Sequence, residues 1–182
     1  MNKSLNYRKD QRTLLQFEKD ILDNTKKEKF LLSIFVKELK KKGHKVRVKN
    51  FGIDNTGKFI VKSNCKADYQ ITIDGVKGLY EIKNSPVDWK MTYKVYDLQQ
   101  YIKNSVNIII FYGTGFLNDN PKKINLKYSR YGIITPEKIQ LMLKNCESYI
   151  EKAFGYKECI KVDKKDFNLY LECHEITILD QK

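Results

Sequence analysis

Asp74-Gly75 separates two short alternating runs, Tyr69-Gln70-Ile71-Thr72-Ile73 and Val76 to Lys83. An Asp-Gly pair supplies the positive φ angles of a two-residue type I′ turn, so the segment is predicted to be a β-hairpin whose register is set by the turn. Ile73 then faces Val76 and, further along the ladder, Asp68 faces Glu81. Alternation places Tyr69, Ile71, Ile73, Val76, Tyr80 and Ile82 on one face and Asp68, Glu81 and Lys83 on the other. A bulge at Gly78 would rotate Glu81 and Lys83 away from Asp68.

The rest of the chain builds around this hairpin. Apolar residues at helical spacing predict helix over 11–42, in two parts divided near Asp23-Asn24-Thr25, ending in the basic turn Lys40-Lys41-Lys42 followed by Gly43. Strands are expected at Lys45 to Lys49 and Lys58 to Val61, with a turn at Gly52 to Gly57 between them. After Ser85-Pro86, Thr92 is expected to cap a helix from about Tyr93 to Asn104. A buried strand follows at Val106 to Tyr112. Gly113-Thr114-Gly115 opens no helix and reads as a loop, and 118–123 as a polar connection. Tyr128 to Thr135 is a further strand, Pro136 the first residue of a helix with its body at Ile139 to Ile150, and Phe167 to Leu171 and Glu175 to Leu179 are short strand candidates. This order describes one α/β domain with a mixed sheet, 1–182, and a smaller α/β part after about residue 112.

The two carboxylates that the register sets opposite each other would repel unless a cation lies between them. A divalent metal supplies that cation, and hard oxygen ligands suit Mg²⁺, which keeps several waters and binds phosphate oxygens in its remaining positions. Charge points the same way. The chain carries 35 Lys and Arg against 22 Asp and Glu, a formal net charge of +13, which suits a polyanion. Only Arg8, Arg12, Arg47 and Arg130 are arginine, and lysine contacts phosphate as a mobile point charge, so backbone binding is expected more than base reading. The competing reading is a lysine-rich composition set by codon usage, with lysines that only solvate the surface.

Asp68, followed by Glu81-Ile82-Lys83 on the next strand, resembles the PD-(D/E)XK nuclease superfamily, which includes restriction endonucleases and Holliday-junction resolvases. Five (D/E)xK triplets occur, at Glu38, Glu81, Asp88, Asp163 and Asp180, and only the second ends a hairpin strand opposite an Asp. Ala67 stands where the family motif has proline. The resemblance covers roughly 26–112 and implies a restriction-endonuclease-like αβββαβ core, a mixed central sheet flanked by helices, with 113–182 as a C-terminal extension. It implies an Mg²⁺-dependent endonuclease, Mn²⁺ able to substitute, in which Asp68 and Glu81 bind the metal and Lys83 orients or helps deprotonate the attacking water. Members often add an acidic residue from the first helix. Glu28 lies on the apolar stripe of Leu31, Phe35 and Leu39, where it needs either a metal or lysine partner, or else is a first-turn Glu favoured by the helix dipole; Glu18 is its rival. Some members use a glutamine from the following helix, here Gln99, placed nearer the apolar side than Gln100. Lys94 is a candidate phosphate contact, and Trp89 and Tyr93 are candidates to stack on bases. Gln70 shares the Asp68 face.

DNA, duplex or branched, is the expected substrate, with RNA as the alternative and a homodimer expected if both strands are cut. A non-catalytic nucleic-acid-binding protein is the rival from another class, although opposed carboxylates would repel the phosphate it must hold. No apolar run is long enough to suggest a membrane span, and the N-terminus lacks a signal-peptide core. Cys65, Cys146, Cys159 and Cys173 form no CxxC pair, so free thiols in a reducing cytosol, of a bacterial or phage-infected cell, are expected.

Overall fold

A computed structural model describes residues 14–50, 67–85, 91–112, 130–152, 155–163, 166 and 169–175. The first helix, α1 (Leu14–Lys41), is one continuous element of 28 residues, about 42 Å long at 1.5 Å per residue. The break predicted near Asp23-Asn24-Thr25 is absent. These residues are weak helix formers but include no Gly or Pro, and extending an existing helix costs far less than starting one. Lys26 reaches back to Asp23 at 3.5 Å across the expected break. Gly43, at φ 90°, terminates the helix. The His44 N–H donates to the Leu39 carbonyl at 3.1 Å and the Gly43 N–H to that of Lys40 at 3.0 Å, the paired bonds of a Schellman end.

Strand β1 (Val46–Asn50) runs antiparallel to β2 (Tyr69–Ile73), and β2 to β3 (Val76–Ser85). Ile73 pairs with Val76 and Tyr69 with Tyr80, the register expected from the turn, with Asp74 at φ 50° and Gly75 at φ 88°. Gly78 pairs regularly with Ile71, so there is no bulge. The Asp74 carboxylate accepts from the Lys45 N–H at 2.8 Å and lies 2.7 Å from His44 Nδ1, tying the turn to the end of α1. The strand and turn expected at 52–61 lie outside the described residues, as do Gly113-Thr114-Gly115 and 118–123.

The expected helix from Tyr93 begins later. Met91–Lys94 is strand β4, and α2 occupies Val95–Lys103 with Lys94 as an N-cap that makes no side-chain cap bond. Thr92 does not cap; its Oγ1 lies 3.3 Å from the Tyr149 hydroxyl. Met91 and Tyr93 alternate with Thr92 and Lys94, and this short alternation is satisfied by pairing with a strand at Lys157–Val162, β8. Strand β5 (Val106–Tyr112) matches its expected bounds and lies parallel to β3. Strand β6 (Arg130–Ile134) leads into α3 (Pro136–Asn145), where Thr135 Oγ1 accepts from the Lys138 N–H at 3.5 Å and proline opens the helix. The helix stops at Asn145, short of Ile150, because Ser148–Glu151 is strand β7, paired with β8 (Lys157–Val162). Strand β9 is Glu172–Glu175. Leu169 and Tyr170 are helical rather than extended, a correction to the strand expected at 167–171; residues 176–179 are outside the described set.

The result is a mixed α/β architecture. A six-stranded sheet has the order β1-β2-β3-β5-β6-β9, parallel between β3 and β5 and antiparallel elsewhere, beside a three-stranded sheet β4-β8-β7. Leu31, Leu32 and Phe35 of α1 pack on one face of the large sheet against Ile71, Ile82, Ile109, Phe111 and Tyr131. On the other face, Leu98 and Tyr101 of α2, Ile139 and Met142 of α3, and Tyr93 and Ile160 of the small sheet cover Val106, Ile108 and Ile110. Both faces of the sheet centre are therefore apolar, as expected for adjacent parallel strands. The face that carries Asp68, Glu81 and Lys83 is not simply polar, and the charged residues occupy a break in a second core.

Candidate active site

Four of the expected site residues meet at one end of the β2–β3 hairpin. The described β2–β3 ladder ends at Tyr69 and Tyr80, while β3 continues beside β5 with Glu81 opposite Ile108 and Lys83 opposite Ile110. Asp68 lies in the bend just before β2, and its Oδ2 lies 3.5 Å from the Ile82 N–H. The Asp68 carboxyl reaches Glu81 on one side and Glu28 of α1 on the other, while Glu81 pairs with the Lys83 ammonium. Contacts thus run in a row from Glu28 to Asp68 to Glu81, with Lys83 paired to Glu81.

Burial sets the protonation of this row. Glu81 is 7% exposed. Desolvation drives its carboxyl up to about 7, with Lys83 opposing and the charge of Asp68 adding to the rise. Desolvation likewise raises Asp68 to about 6, reinforced by the charge of Glu28. Glu28 is also raised, first by burial, although its bond with Asp68 pulls the other way. Burial alone would lower the Lys83 ammonium, but the charge of Glu81, joined by Tyr101 and Asp68, holds it well above its ordinary range. The Lys83 side chain keeps 35% of its surface exposed, with Nζ turned into this anionic cluster. Lys83 is a persistent cation.

Carboxylate oxygens are the donor type that suits a hard divalent ion. Glu28 Oε1 is buried and, among the described residues, is the buried side-chain oxygen without a hydrogen-bond partner. A buried orphan acceptor is costly unless something binds it. Among the described residues, no group of three or more His, Cys, Asp or Glu side chains is arranged to hold a metal ion. Mg²⁺ takes one or two carboxylates and retains water, so it needs no closed cage.

Glu28 sits at mid-length of the continuous α1. The reading as a first-turn Glu favoured by the helix dipole depended on a break that is absent, and the carboxylate contact with Asp68 replaces it. The Glu18 side chain is outside the described residues. Gln99 is exposed on α2, a correction to its placement near the apolar side, since the buried stripe runs through Val95, Leu98 and Tyr101. Tyr101 is the residue the sequence reading missed. Its hydroxyl interacts with Glu81, and burial pushes its phenol up. The available signal was its three-residue step from Leu98, together with the need of a buried tyrosine hydroxyl for a partner.

Tyr93 is 5% exposed, and its hydroxyl donates to Met91 Sδ at 3.4 Å, so it is a core side chain and no stacking platform. Lys94 lies 3.8 Å from Asp97 at the start of α2. Trp89 lies outside the described residues. Gln70 is half-buried on the Asp68 face. Cys146 and Cys159 are free thiols. No described helix is long and apolar enough to cross a membrane.

No protein-family model matches the chain, and no curated protein matches it. Among solved structures, the chain is similar to Archaeoglobus fulgidus Hjc, a Holliday junction resolvase from an archaeal hyperthermophile. The TM-score is 0.46 and the identity 12%, over 79% of this chain and 93% of that one.

Proposed function

We propose that this protein is a divalent-metal-dependent nuclease that hydrolyses phosphodiester bonds in DNA. The observation that carries the reading is the buried row Glu28, Asp68 and Glu81 beside a cationic Lys83, with one carboxylate oxygen left without a partner. Three adjacent buried carboxylates cannot all ionise without a compensating cation. Asp68 and Glu81, with Glu28 behind them, would hold Mg²⁺ or Mn²⁺, which when bound lowers the pKa of water and polarises a phosphoryl oxygen. Lys83 stays protonated, so its part is to orient the attacking water and offset charge on the phosphorane-like transition state. Tyr101 holds Glu81 in place from the α2 side. The resemblance of Asp68 and Glu81-Ile82-Lys83 to the PD-(D/E)XK pattern supports the same reading, as does the net charge of +13.

The test is incubation with supercoiled plasmid, branched DNA and single-stranded RNA, each with Mg²⁺, Mn²⁺ or EDTA, beside Lys83→Ala. Metal-dependent cutting of DNA that is slowed by about two to three orders of magnitude in the variant is the expected result. Salt-sensitive binding without cutting by either protein would replace the nuclease with a binding module.

A further inference from the structure

The sheet register places more than the carboxylates on the catalytic face. Arg47 of β1 pairs with Thr72 of β2, which pairs with Lys77 of β3; one step along, Lys49 pairs with Gln70, which pairs with Leu79. Side chains on opposed residues share a face, and alternate residues along each strand repeat it. The next step on that face is Asp68 beside Glu81. Arg47, Lys49 and Lys77 are exposed, and Thr72 and Gln70 half-buried. The core that covers this face over β3, β5 and β6 includes no residue of β1 or β2, whereas the opposite face of β1 and β2 is covered by α1 through Val46, Ile71 and Ile73. Among the described residues, one side of the hairpin edge is therefore sealed by a helix, and the other presents a basic shelf of exposed side chains.

We infer that this shelf, with Arg47, Lys49 and Lys77, is a phosphate track along which a DNA strand is led to the row of carboxylates. The inference rests on the nuclease reading for its endpoint. Successive steps on one face of a strand lie roughly 7 Å apart, comparable to the step between phosphates on a nucleic-acid strand. Lys49 stands one step from the Asp68–Glu81 pair and Arg47 two. Among the described residues of this face of β1, β2 and β3, the acidic side chain is Glu81 itself. Asp74 at the turn is engaged by His44 and Lys45. A polyanion that follows positive charge along the strands arrives at the site where its own charge needs a metal or Lys83 to be tolerated.

The experiment compares two double variants that remove the same charge from opposite faces. Arg47→Ala with Lys49→Ala empties the track; Lys37→Ala with Lys40→Ala removes two exposed lysines from the outer side of α1. Duplex DNA binding is measured in EDTA across a range of salt, so that no cleavage is involved. Removing a cation that neutralises one phosphate flattens the plot of log affinity against log salt by about one, so the track variant flattens by about two and the α1 variant stays near wild type. Arg47→Lys with Lys49→Arg keeps the wild-type slope, which separates missing charge from disturbed folding. With Mg²⁺, the track variant raises KM and leaves kcat unchanged. Equal flattening by both double variants, or by neither, overturns the track. Cutting by wild type with unmoved slopes removes the track and leaves the nuclease, whereas flattened slopes without any cutting leave a backbone-binding face and remove the nuclease.

Discussion

The raised carboxyls make stability depend on pH in a direction opposite to that of an ordinary salt-bridged acid. Glu81 has a folded-state value of about 7 against 4.5 when exposed. The folded protein therefore holds this proton more tightly than the unfolded chain, and the associated stability is fully present below about pH 4.5 and lost as pH rises through about 7. At ~1.4 kcal/mol per tenfold change in proton affinity, the loss is roughly 3 kcal/mol, and the 7% exposure of Glu81 leaves little solvent to screen it. The chain's net charge of +13 makes the absolute profile a mixture of many groups, so the difference between wild type and Glu81→Gln isolates the site. In EDTA, urea unfolding at acid pH should give the two proteins their smallest difference. By pH 8 the variant should have gained roughly 3 kcal/mol relative to wild type, on the same linkage. Adding Mg²⁺ should stabilise wild type above pH 7 and leave Glu81→Gln nearly unmoved, since an ion that binds only the folded state stabilises it by mass action. A difference that is flat with pH, or that favours wild type as pH rises without metal, would refute the view that Glu81 is buried without adequate compensation.

Glu28→Gln should retain the fold and shift the Mg²⁺ dependence of cutting about 10- to 100-fold toward higher concentration, as read from a metal titration of plasmid cleavage; an unchanged titration would return Glu28 to a packing role. Lys83→Ala should lower kcat by about two to three orders of magnitude, in line with removal of one electrostatic donor at a transition state, measured under single-turnover conditions. Gly75→Ala should cost about 1 kcal/mol or more, because its φ of 88° lies where a Cβ is strained although nothing obstructs it; urea unfolding reads this. Phe35→Ala, which empties a fully buried position under α1, should cost about 3–5 kcal/mol by the same measurement.

Much of where the candidate residues lie was legible in the chain itself. Asp-Gly at 74–75 permits one tight turn, and that turn propagates a register to Asp68 and Glu81 because side-chain direction along a strand has period two. The same local logic located β5, the Gly43 helix end and the Thr135-Pro136 start of α3, each specified by residues within a few positions of one another. Two of the elements that failed depended on partners distant in sequence. Met91–Lys94 looked like the entry to a helix until β8 supplied its ladder, and Ser148–Glu151 looked like the end of α3 for the same reason.

Tertiary structure alone decided which neighbours the charged residues keep. Glu28 could be placed on an apolar stripe from its spacing, but whether it met a metal site, a lysine or solvent depended on how a 28-residue helix crosses the hairpin. Gln99 and Tyr101 lie two positions apart on α2, and only the packing of that helix on β5 turned the tyrosine inward to Glu81 and left the glutamine in water. The basic shelf on β1 and β2 has no sequence signature beyond alternation. It becomes a surface because α2 and α3 cover one half of the sheet face and stop short of the other. Local sequence determines turns, registers and caps through short-range sterics and hydrogen bonds. Desolvation, and with it the raised carboxyls, is a property of everything packed around them.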